Sequence, residues 1–257
     1  MKRIAGLAAP RRYALLGSFV LLAATSSSLA AADDGPGPFG VTVRAAATPQ
    51  SARVGVLFSG GPGGRHFCTA SVVRSAARDL IVTAAHCLGG GAKPVFAPGY
   101  RDGRAPYGLW NVRKTYLGDG WRSGQDEDSD VAFAVVADKG GKGIEDVVGG
   151  NAFAAGRATG ATAVTVTGYP GALDAPLTCT DKPIARGRAQ QRIACPGFAG
   201  GTSGSPWVNG DGEVVGVIGG HQQGGDTDDV SFSVVLRSEA AALYRAAAAP
   251  GRSGEPS

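Results

Sequence analysis

The chain has 257 residues, with 25 lysines and arginines against 21 aspartates and glutamates, and its net charge is +4 at pH 7. Four of the basic residues and none of the acidic ones lie within residues 1–30, so the remainder carries 21 charges of each sign. Because these charges balance, the chain after residue 30 has no net positive charge that would attract nucleic acid or an anionic membrane.

Residues 1–30 have the composition of an export signal. After a basic start they continue with the apolar run Tyr13–Ala24 and end in the small-residue stretch Ser28–Ala30, as secretory signal peptides do. A membrane anchor is the alternative, but the uninterrupted apolar run is too short to span a bilayer. Arg11 and Arg12 suggest a twin-arginine signal, although the rest of that motif is missing. We therefore expect a protein secreted by the general route, with no membrane contact after signal removal.

Residues 31–50 predict a linker or a short propeptide. The stretch Asp33–Pro38 alternates glycine with proline after two aspartates, and cannot form a helix or a central strand. The chain after the signal is long enough for one large domain or two small ones.

Short apolar runs between glycine, proline and aspartate then predict an all-β sandwich or barrel, in keeping with a content of 42 glycines. The first set of runs is Val54–Phe58, Phe67–Val73, Leu80–Thr83, Val95–Phe96, Leu109–Leu117 and Val131–Val136. The second set is Ala161–Gly168, Arg192–Cys195, Ser205–Val208, Val214–Ile218 and Val230–Leu236.

Two further segments complete the chain order. Asp138–Gly143 is flexible in composition and suits a crossover between the two sets of strands. A C-terminal helix is predicted because Ser238 is a good N-cap, Glu239 suits a first helical turn, and Ala240–Ala249 has high helix propensity before Pro250.

The four cysteines of an exported chain predict two disulfides, with three possible pairings. A zinc site is the alternative, since His66, Cys68, His86 and Cys87 all carry ligand atoms. Their spacing matches no zinc pattern, and an oxidising compartment favours disulfides. We expect neither a metal nor a cofactor, and the sequence has no nucleotide-binding glycine motif.

A histidine at the end of an apolar strand is the first candidate for catalysis. His86 follows the run Leu80–Thr83 and precedes Cys87, which could tether it as a general base. The sequence Thr83–Cys87 resembles the T-A-A-H-C motif of the chymotrypsin-like (trypsin-like) serine proteases. The resemblance extends to His66–Cys68 and implies a Cys68–Cys87 disulfide.

A glycine-rich stretch carries the candidate nucleophile. Residues 200–206, Gly-Gly-Thr-Ser-Gly-Ser-Pro, resemble the G-D-S-G-G-P motif of that family, and more closely the G-x-S-G-S-P of bacterial glutamyl-endopeptidase-like members. Position in the motif implies Ser203 as nucleophile, with Ser205 in place of a small structural residue. The glycines let the amides of Gly201 and Ser203 point at a developing oxyanion.

An acidic cluster contains the candidate third catalytic residue. Asp130 directly precedes the apolar run Val131–Val136, as the catalytic acid does in the family, whereas Asp126 and Asp128 do not. An acid at this place can fix the histidine tautomer and stabilise the imidazolium. The rest of the cluster predicts a solvated loop, with calcium binding left open.

The order histidine, aspartate, serine is that of chymotrypsin-like enzymes and excludes an α/β-hydrolase, in which acid and histidine follow the serine. The resemblance implies two six-stranded antiparallel Greek-key β-barrels with a C-terminal α-helix. The expected boundaries are 51–138 for the first barrel, 139–151 for the crossover, 152–237 for the second barrel and 238–249 for the helix. By the same analogy, Cys179 pairs with Cys195.

The resemblance also implies a substrate cleft along Ile218, Gly219, Gly220 and His221, in a monomer that hydrolyses peptides or proteins. His221 is equally compatible with an exposed loop. The stretch before the serine motif, residues 196–200, is uncharged, which favours a small or apolar P1 residue. Asp226, Asp228 and Asp229 in the following loop are compatible with a preference for a basic side chain or with solvated charges that have no role in specificity.

One further departure from the family bears on activation. Thr202 replaces the aspartate with which animal members bind a new N-terminus, so activation of that kind is not expected, and Val54 is expected to begin the first strand.

The alternative to an enzyme is a catalytically silent homologue that binds peptides in the same cleft.

Overall fold

The computed structural model describes residues 38–61, 64–90 and 94–249. Strands dominate this part of the chain, in agreement with the prediction of an all-β fold with a C-terminal helix. The strands are β1 Thr42–Arg44, β2 Val54–Phe58, β3 His66–Val73, β4 Leu80–Thr83, β5 Val95–Pro98, β6 Trp110–Leu117, β7 Ala132–Val136, β8 Ala152–Phe153, β9 Val164–Gly168, β10 Leu177–Asp181, β11 Ile184–Arg186, β12 Gln190–Ala194, β13 Pro206–Asn209, β14 Glu213–Val217 and β15 Val230–Val234. The helices are α1 Pro49–Ala52, α2 Asp119–Gly124, α3 Ile144–Val148 and α4 Ser238–Ala248.

The first half of the fold is a closed barrel of six antiparallel strands in the order β2-β3-β4-β7-β6-β5. Alternate residues of β4 face opposite sides, since successive side chains of a strand point to opposite faces. Ile81 packs inside the barrel with Leu57 and Phe96. Leu80 and Val82 pack instead in a cluster that includes strands of the second half. Both faces of β4 are therefore buried, which explains its continuous apolar sequence.

The second half wraps two sheets around one core. The strand orders are β1-β10-β9-β13-β14-β8 and β11-β12-β15, and β8 pairs with β14 in parallel. Val166, Ile193 and Trp207 pack between the sheets. The Gly219 N–H donates to the Phe232 oxygen across 3.0 Å, which joins the sheets next to β14. The arrangement corresponds to the predicted second barrel, but it differs from six antiparallel strands. In the described residues it consists of a six-stranded and a three-stranded sheet without a completely hydrogen-bonded ring, and the β8–β14 pair is parallel.

The C-terminal helix α4 packs against both halves of the fold, in a cluster that contains Phe133 of β7 and Val214 of β14. Its Tyr244 stacks on Phe153 of β8 at 4.8 Å between ring centroids and donates from its hydroxyl to the Arg74 oxygen at 2.7 Å. Ser238 was expected to cap the helix but is its first residue, and Arg237 holds the cap position without a side-chain hydrogen bond. The helix is thus held by packing and by the hydrogen bond of Tyr244, without a capping side chain.

Secondary structure extends into two segments that the sequence predicts as connections. Residues 42–44, within the expected linker or propeptide 31–50, form β1 and pair with β10. Thr48 caps α1, where its hydroxyl accepts from the Ser51 N–H at 3.1 Å. The expected crossover 139–151 contains α3. The expected signal peptide, residues 1–30, lies outside the described residues.

Among the helices of the described ranges, none has the length and apolar character required to cross a bilayer.

Candidate active site

His86 lies where the first barrel ends, on a short 3-10 turn of residues 85–87 that follows β4. The neighbouring Cys87 forms a disulfide with Cys68 on β3, which anchors the turn to the adjacent strand. Only 12% of the His86 side chain is exposed. The strand end and the disulfide together hold the imidazole at the edge of the barrel.

Asp130 is completely buried and faces His86. Its Oδ2 lies 2.8 Å from His86 Nδ1, and its Oδ1 accepts the His86 backbone N–H at 2.9 Å. The Gly220 N–H donates to Oδ2 at 2.7 Å. Three donors thus satisfy a carboxylate that has no access to water. Since a carboxylate only accepts, His86 carries a proton on Nδ1, and its Nε2 is left as the basic nitrogen.

The two other aspartates of the acidic cluster do not contact His86. Asp126 caps the turn before Asp130, where its Oδ1 accepts from the Asp128 N–H at 3.0 Å. The Asp128 carboxylate accepts from Gln190 Nε2 at 2.7 Å. Both carboxylates therefore have structural partners, and Asp130 alone of the three aspartates pairs with the imidazole.

Ser203 lies in a loop that we call the serine loop, residues 200–205. Gly201 has a φ of +102°, and a Cβ there would lie 2.5 Å from the Gly171 nitrogen, so the loop requires glycine at this position. Within the described residues, neither the Gly201 N–H nor the Ser203 N–H donates to any acceptor. Both amides thus lack an internal hydrogen-bond acceptor in this part of the chain.

The second serine of the loop, Ser205, uses its hydroxyl in an internal hydrogen bond. Ser205 is fully buried, and its hydroxyl donates to the Thr202 oxygen at 2.6 Å. Thr202 is also buried and donates from its hydroxyl to the backbone oxygens of Phe198 and Ala199 at 3.1 and 2.8 Å. Neither hydroxyl is accessible to a substrate.

The Ser203 hydroxyl donates to the Gln223 oxygen at 3.4 Å, and no hydrogen bond joins it to His86 in the described structure. Gln223 belongs to the glutamine segment, residues 221–225, where Gln222 and Gln223 both have positive φ, at 50° and 56°. Glu127 holds this segment, since its Oε1 accepts the Gln222 N–H at 2.8 Å. The hydroxyl must turn away from Gln223 to reach His86.

The four residues expected to line a substrate cleft have different environments. Ile218 is buried in the core with Trp207, so its side chain does not line an open groove. Gly219 and Gly220 lie against Asp130, where a Cβ on Gly219 would be 2.9 Å from its Oδ2. His221 lies 3.4 Å from Glu127 Oε2 through Nδ1 and 3.1 Å from an Arg186 nitrogen through Nε2.

Behind the serine loop lies His66, which is buried among aromatic rings. Its Nε2 lies 3.1 Å from the Leu173 oxygen and therefore carries the proton of this hydrogen bond. Burial lowers the pKa of His66, although the bond to Leu173 and the charge of Asp174 oppose the shift. His66 is thus a neutral residue of the interior.

The cysteines form both expected disulfides, Cys68–Cys87 and Cys179–Cys195. The ligand atoms of Cys68, His86 and Cys87 lie within 4.8 Å of one another. Because both sulfurs are bonded to each other, neither is a thiolate, and this group does not fit a zinc ion.

Sequence reasoning missed three residues that contact the site: Thr69, Glu127 and Gln223. Thr69 carries a recognisable signal, since it is a polar residue within the apolar strand β3. Glu127 was assigned to the solvated part of the acidic cluster. Nothing in the sequence indicates that the Gln223 carbonyl reaches the Ser203 hydroxyl.

Known proteins resemble this chain in sequence and in fold. The family described as the trypsin-like peptidase domain matches residues 68–217. No curated protein has a sequence that matches the chain. The crystal structure of the protease Anisep from Arthrobacter nicotinovorans has 28% identity and a TM-score of 0.68, covering 77% of this chain and 96% of that one.

Two further solved structures have the same fold. The thermostable serine protease AL20 from an extremophilic microorganism has 29% identity and a TM-score of 0.69, covering 78% of this chain and 99% of its own. A Glu endopeptidase in complex with MPD has 18% identity and a TM-score of 0.67, covering 84% of this chain and 99% of its own. At this identity the similarity shows the fold alone.

Proposed function

Because the chain belongs to the family of trypsin-like peptidases, we propose that it cleaves peptide bonds with Ser203 as nucleophile, His86 as general base and Asp130 as the orienting acid. The chain is a chymotrypsin-like serine endopeptidase, and the three residues are our assignment within it. The contact of buried Asp130 Oδ2 with His86 Nδ1 at 2.8 Å carries this assignment. It leaves His86 Nε2 unprotonated and so able to accept the serine proton.

In the first chemical step the Ser203 hydroxyl turns from Gln223 to His86 Nε2. As Oγ attacks the carbonyl carbon of the substrate, its proton passes to Nε2, and Asp130 stabilises the resulting imidazolium. The carbonyl oxygen becomes an oxyanion, which the N–H groups of Gly201 and Ser203 bind. Loss of one such donor costs about 3–4 kcal/mol in comparable sites.

The second step releases the two products. His86 gives its proton to the leaving amine, which departs and leaves an acyl ester on Ser203. A water molecule then attacks the ester while His86 takes its proton, and the collapse of this second intermediate returns the proton to Ser203. A carboxylic acid is released, and the enzyme is regenerated.

We propose a small or apolar side chain at P1. Phe198, in the uncharged stretch before the serine loop, is buried, and its N–H donates to the Asp228 oxygen at 2.9 Å. Asp228 thus contacts this stretch through its backbone, and the carboxylates of Asp226 and Asp229 are on exposed residues. The resemblance to the bacterial glutamyl endopeptidases implies that Ile218 stands where those enzymes carry a histidine, which argues against an acidic P1.

We further propose that the protein is secreted and acts as a monomer without activation by a new N-terminus. Two disulfides suit an oxidising compartment. The Thr202 hydroxyl is satisfied by two backbone oxygens and carries no charge for a terminal amine. Val54 is the first residue of β2 and pairs with Ser71 of β3, which supports its expected place at the start of the first strand.

Labelling with a fluorophosphonate, followed by peptide mapping, tests the catalytic assignment. We expect the label on Ser203 in the wild type and in S205A, and no label in H86A. A folded protein that is never labelled and cleaves no member of a broad peptide library would show that the cleft is catalytically silent. Cleavage of the same library measures the P1 preference.

A further inference from the structure

Thr69 is a buried polar residue in the middle of β3, with no exposed surface. Each of its polar groups has a partner. Its hydroxyl donates to the Gly201 oxygen at 3.0 Å and accepts the Tyr169 N–H at 3.0 Å. Its N–H donates to the Ser203 oxygen at 2.8 Å, and its oxygen accepts from the Thr83 hydroxyl at 2.8 Å.

These contacts join the two halves of the molecule at the serine loop. Thr69 belongs to the first barrel, whereas Gly201 and Ser203 belong to the second half, more than a hundred residues further along the chain. Two carbonyls of the serine loop therefore depend on one threonine. No other side-chain hydroxyl outside the loop donates to it in the described residues.

The contact with Gly201 controls an amide that we assign to the oxyanion. The preceding carbonyl, that of Gly200, accepts the Gly171 N–H at 2.7 Å. Because a peptide group is planar and trans, this directs the Gly201 N–H the opposite way. The following carbonyl, that of Gly201 itself, is held by the Thr69 hydroxyl. The peptide groups on both sides of the Gly201 Cα are thus fixed.

Such fixation matters because Gly201 is the most flexible kind of residue. Its φ of +102° is a conformation that glycine leaves easily, since no Cβ restricts it. If the Gly201 carbonyl lost the Thr69 hydroxyl, the peptide group between Gly201 and Thr202 would keep only the 3.2 Å bond of its N–H to the Ala199 oxygen. Movement of this group would shift the Gly201 Cα and displace the amide bonded to it, although the Gly200 carbonyl keeps its contact with Gly171. A catalytic donor displaced by about 1 Å can cost about 100-fold in rate.

We propose that Thr69 is a positioning residue for the oxyanion site and acts through its hydroxyl on the Gly201 carbonyl. The inference rests on the proposed role of Ser203 and its loop. Thr69 does not touch the substrate. Its hydroxyl should favour the transition state over the bound substrate, because only the former places negative charge on the carbonyl oxygen.

Thr69→Val tests this role, since valine has nearly the same shape, keeps the backbone N–H and lacks the hydroxyl. We expect kcat for a peptide substrate to fall roughly 10- to 100-fold with little change in KM. The Ki of a peptidyl trifluoromethyl ketone, which forms a hemiketal oxyanion with the serine, should rise by a similar factor. Thr69→Ser restores the hydroxyl and should recover most of both losses.

Thr180→Val is the matched control. Thr180 is another buried threonine, and its hydroxyl bonds to that of Thr165 at 2.9 Å without contact to the serine loop. The Thr180→Val variant should be less stable than the wild type but have the same kcat and the same Ki for the ketone. An equal fall of kcat in Thr180→Val would make the effect structural and overturn the proposal, as would wild-type kcat and Ki in Thr69→Val.

A second pair of variants tests the same role if Thr69→Val folds poorly. Thr69→Ala and Thr69→Ser both remove the methyl group, and they differ only in the hydroxyl. The proposal requires the larger loss of kcat in Thr69→Ala, and equal values would overturn it. Failure of the proposed function is a distinct result, because the wild type itself would then neither cleave peptides nor take up the fluorophosphonate label.

Discussion

The Asp130→Asn substitution separates the orienting role that we propose for Asp130 from its packing. The carboxylate accepts three N–H groups, two on Oδ2 and one on Oδ1. An amide of the same shape offers one oxygen and one NH2, so one of its two positions must now donate. Either the NH2 faces the His86 backbone N–H, or it faces His86 Nδ1 and the Gly220 N–H.

Both orientations harm the site, for different reasons. With the NH2 towards His86 Nδ1, that nitrogen must accept, and the proton moves to Nε2, where it blocks the uptake of the serine proton. With the oxygen towards Nδ1, the tautomer is kept, but two donors face each other and the imidazolium loses a negative partner. We expect kcat to fall about 10⁴-fold, equivalent to about 5 kcal/mol in the activation free energy.

Steady-state hydrolysis of a peptide substrate at neutral pH measures this loss, with circular dichroism to verify folding. Asp128→Asn is the matched control, since Asp128 lies two residues earlier and its carboxylate contacts Gln190. It should keep kcat within a few-fold of the wild type. A D130N variant with more than a tenth of the wild-type kcat, or a D128N variant with an equal loss, would refute the assignment.

Three further outcomes are expected. Ser205→Ala should keep the wild-type kcat and lose about 1 kcal/mol of stability in urea unfolding, because it removes one buried hydrogen bond; a loss of labelling at Ser203 would contradict this. The lowered pKa of His66 means that the unfolded chain binds its proton first, so the free energy of unfolding should fall as the pH drops below about 6.5 and level off below the folded pKa. Urea titrations between pH 5 and 8 should show a shallower dependence in H66Q, and an unchanged slope would count against the burial argument. Glu127→Ala removes the acceptor of the Gln222 N–H, so hydrogen exchange of that amide, followed by mass spectrometry, should accelerate while an amide of β4 exchanges as before.

Local patterns explain why part of the fold could be predicted from the sequence. Strand β4 and the turn that carries His86 are contiguous in the chain, so their relation is visible in the sequence itself. The strand β10, Leu177–Asp181, was missed because it alternates threonine with other residues between two prolines. Thr178 and Thr180 contact threonines of β9 across the sheet, and only the pairing makes the stretch recognisable as a strand.

The candidate site was predictable to the extent that its residues lie in motifs. Ser203 follows from the glycine-rich stretch, and Asp130 follows from the apolar strand after it. The contact between Ser203 and Gln223 could not be predicted, because left-handed glutamines have no sequence signature and their conformation depends on the Glu127 carboxylate. Thr69 was missed for a related reason: its partners are distant in sequence.

The site also depends on reciprocal contacts between the two halves. The first barrel holds the serine loop of the second half through Thr69. The second half holds the acid of the first barrel through the Gly220 N–H, at 2.7 Å from Asp130 Oδ2. Each half therefore supplies a polar group to the element of the other half that we propose to be catalytic. Because both contacts are buried, a change that loosens the interface between the halves should reduce kcat before either half loses its own strands.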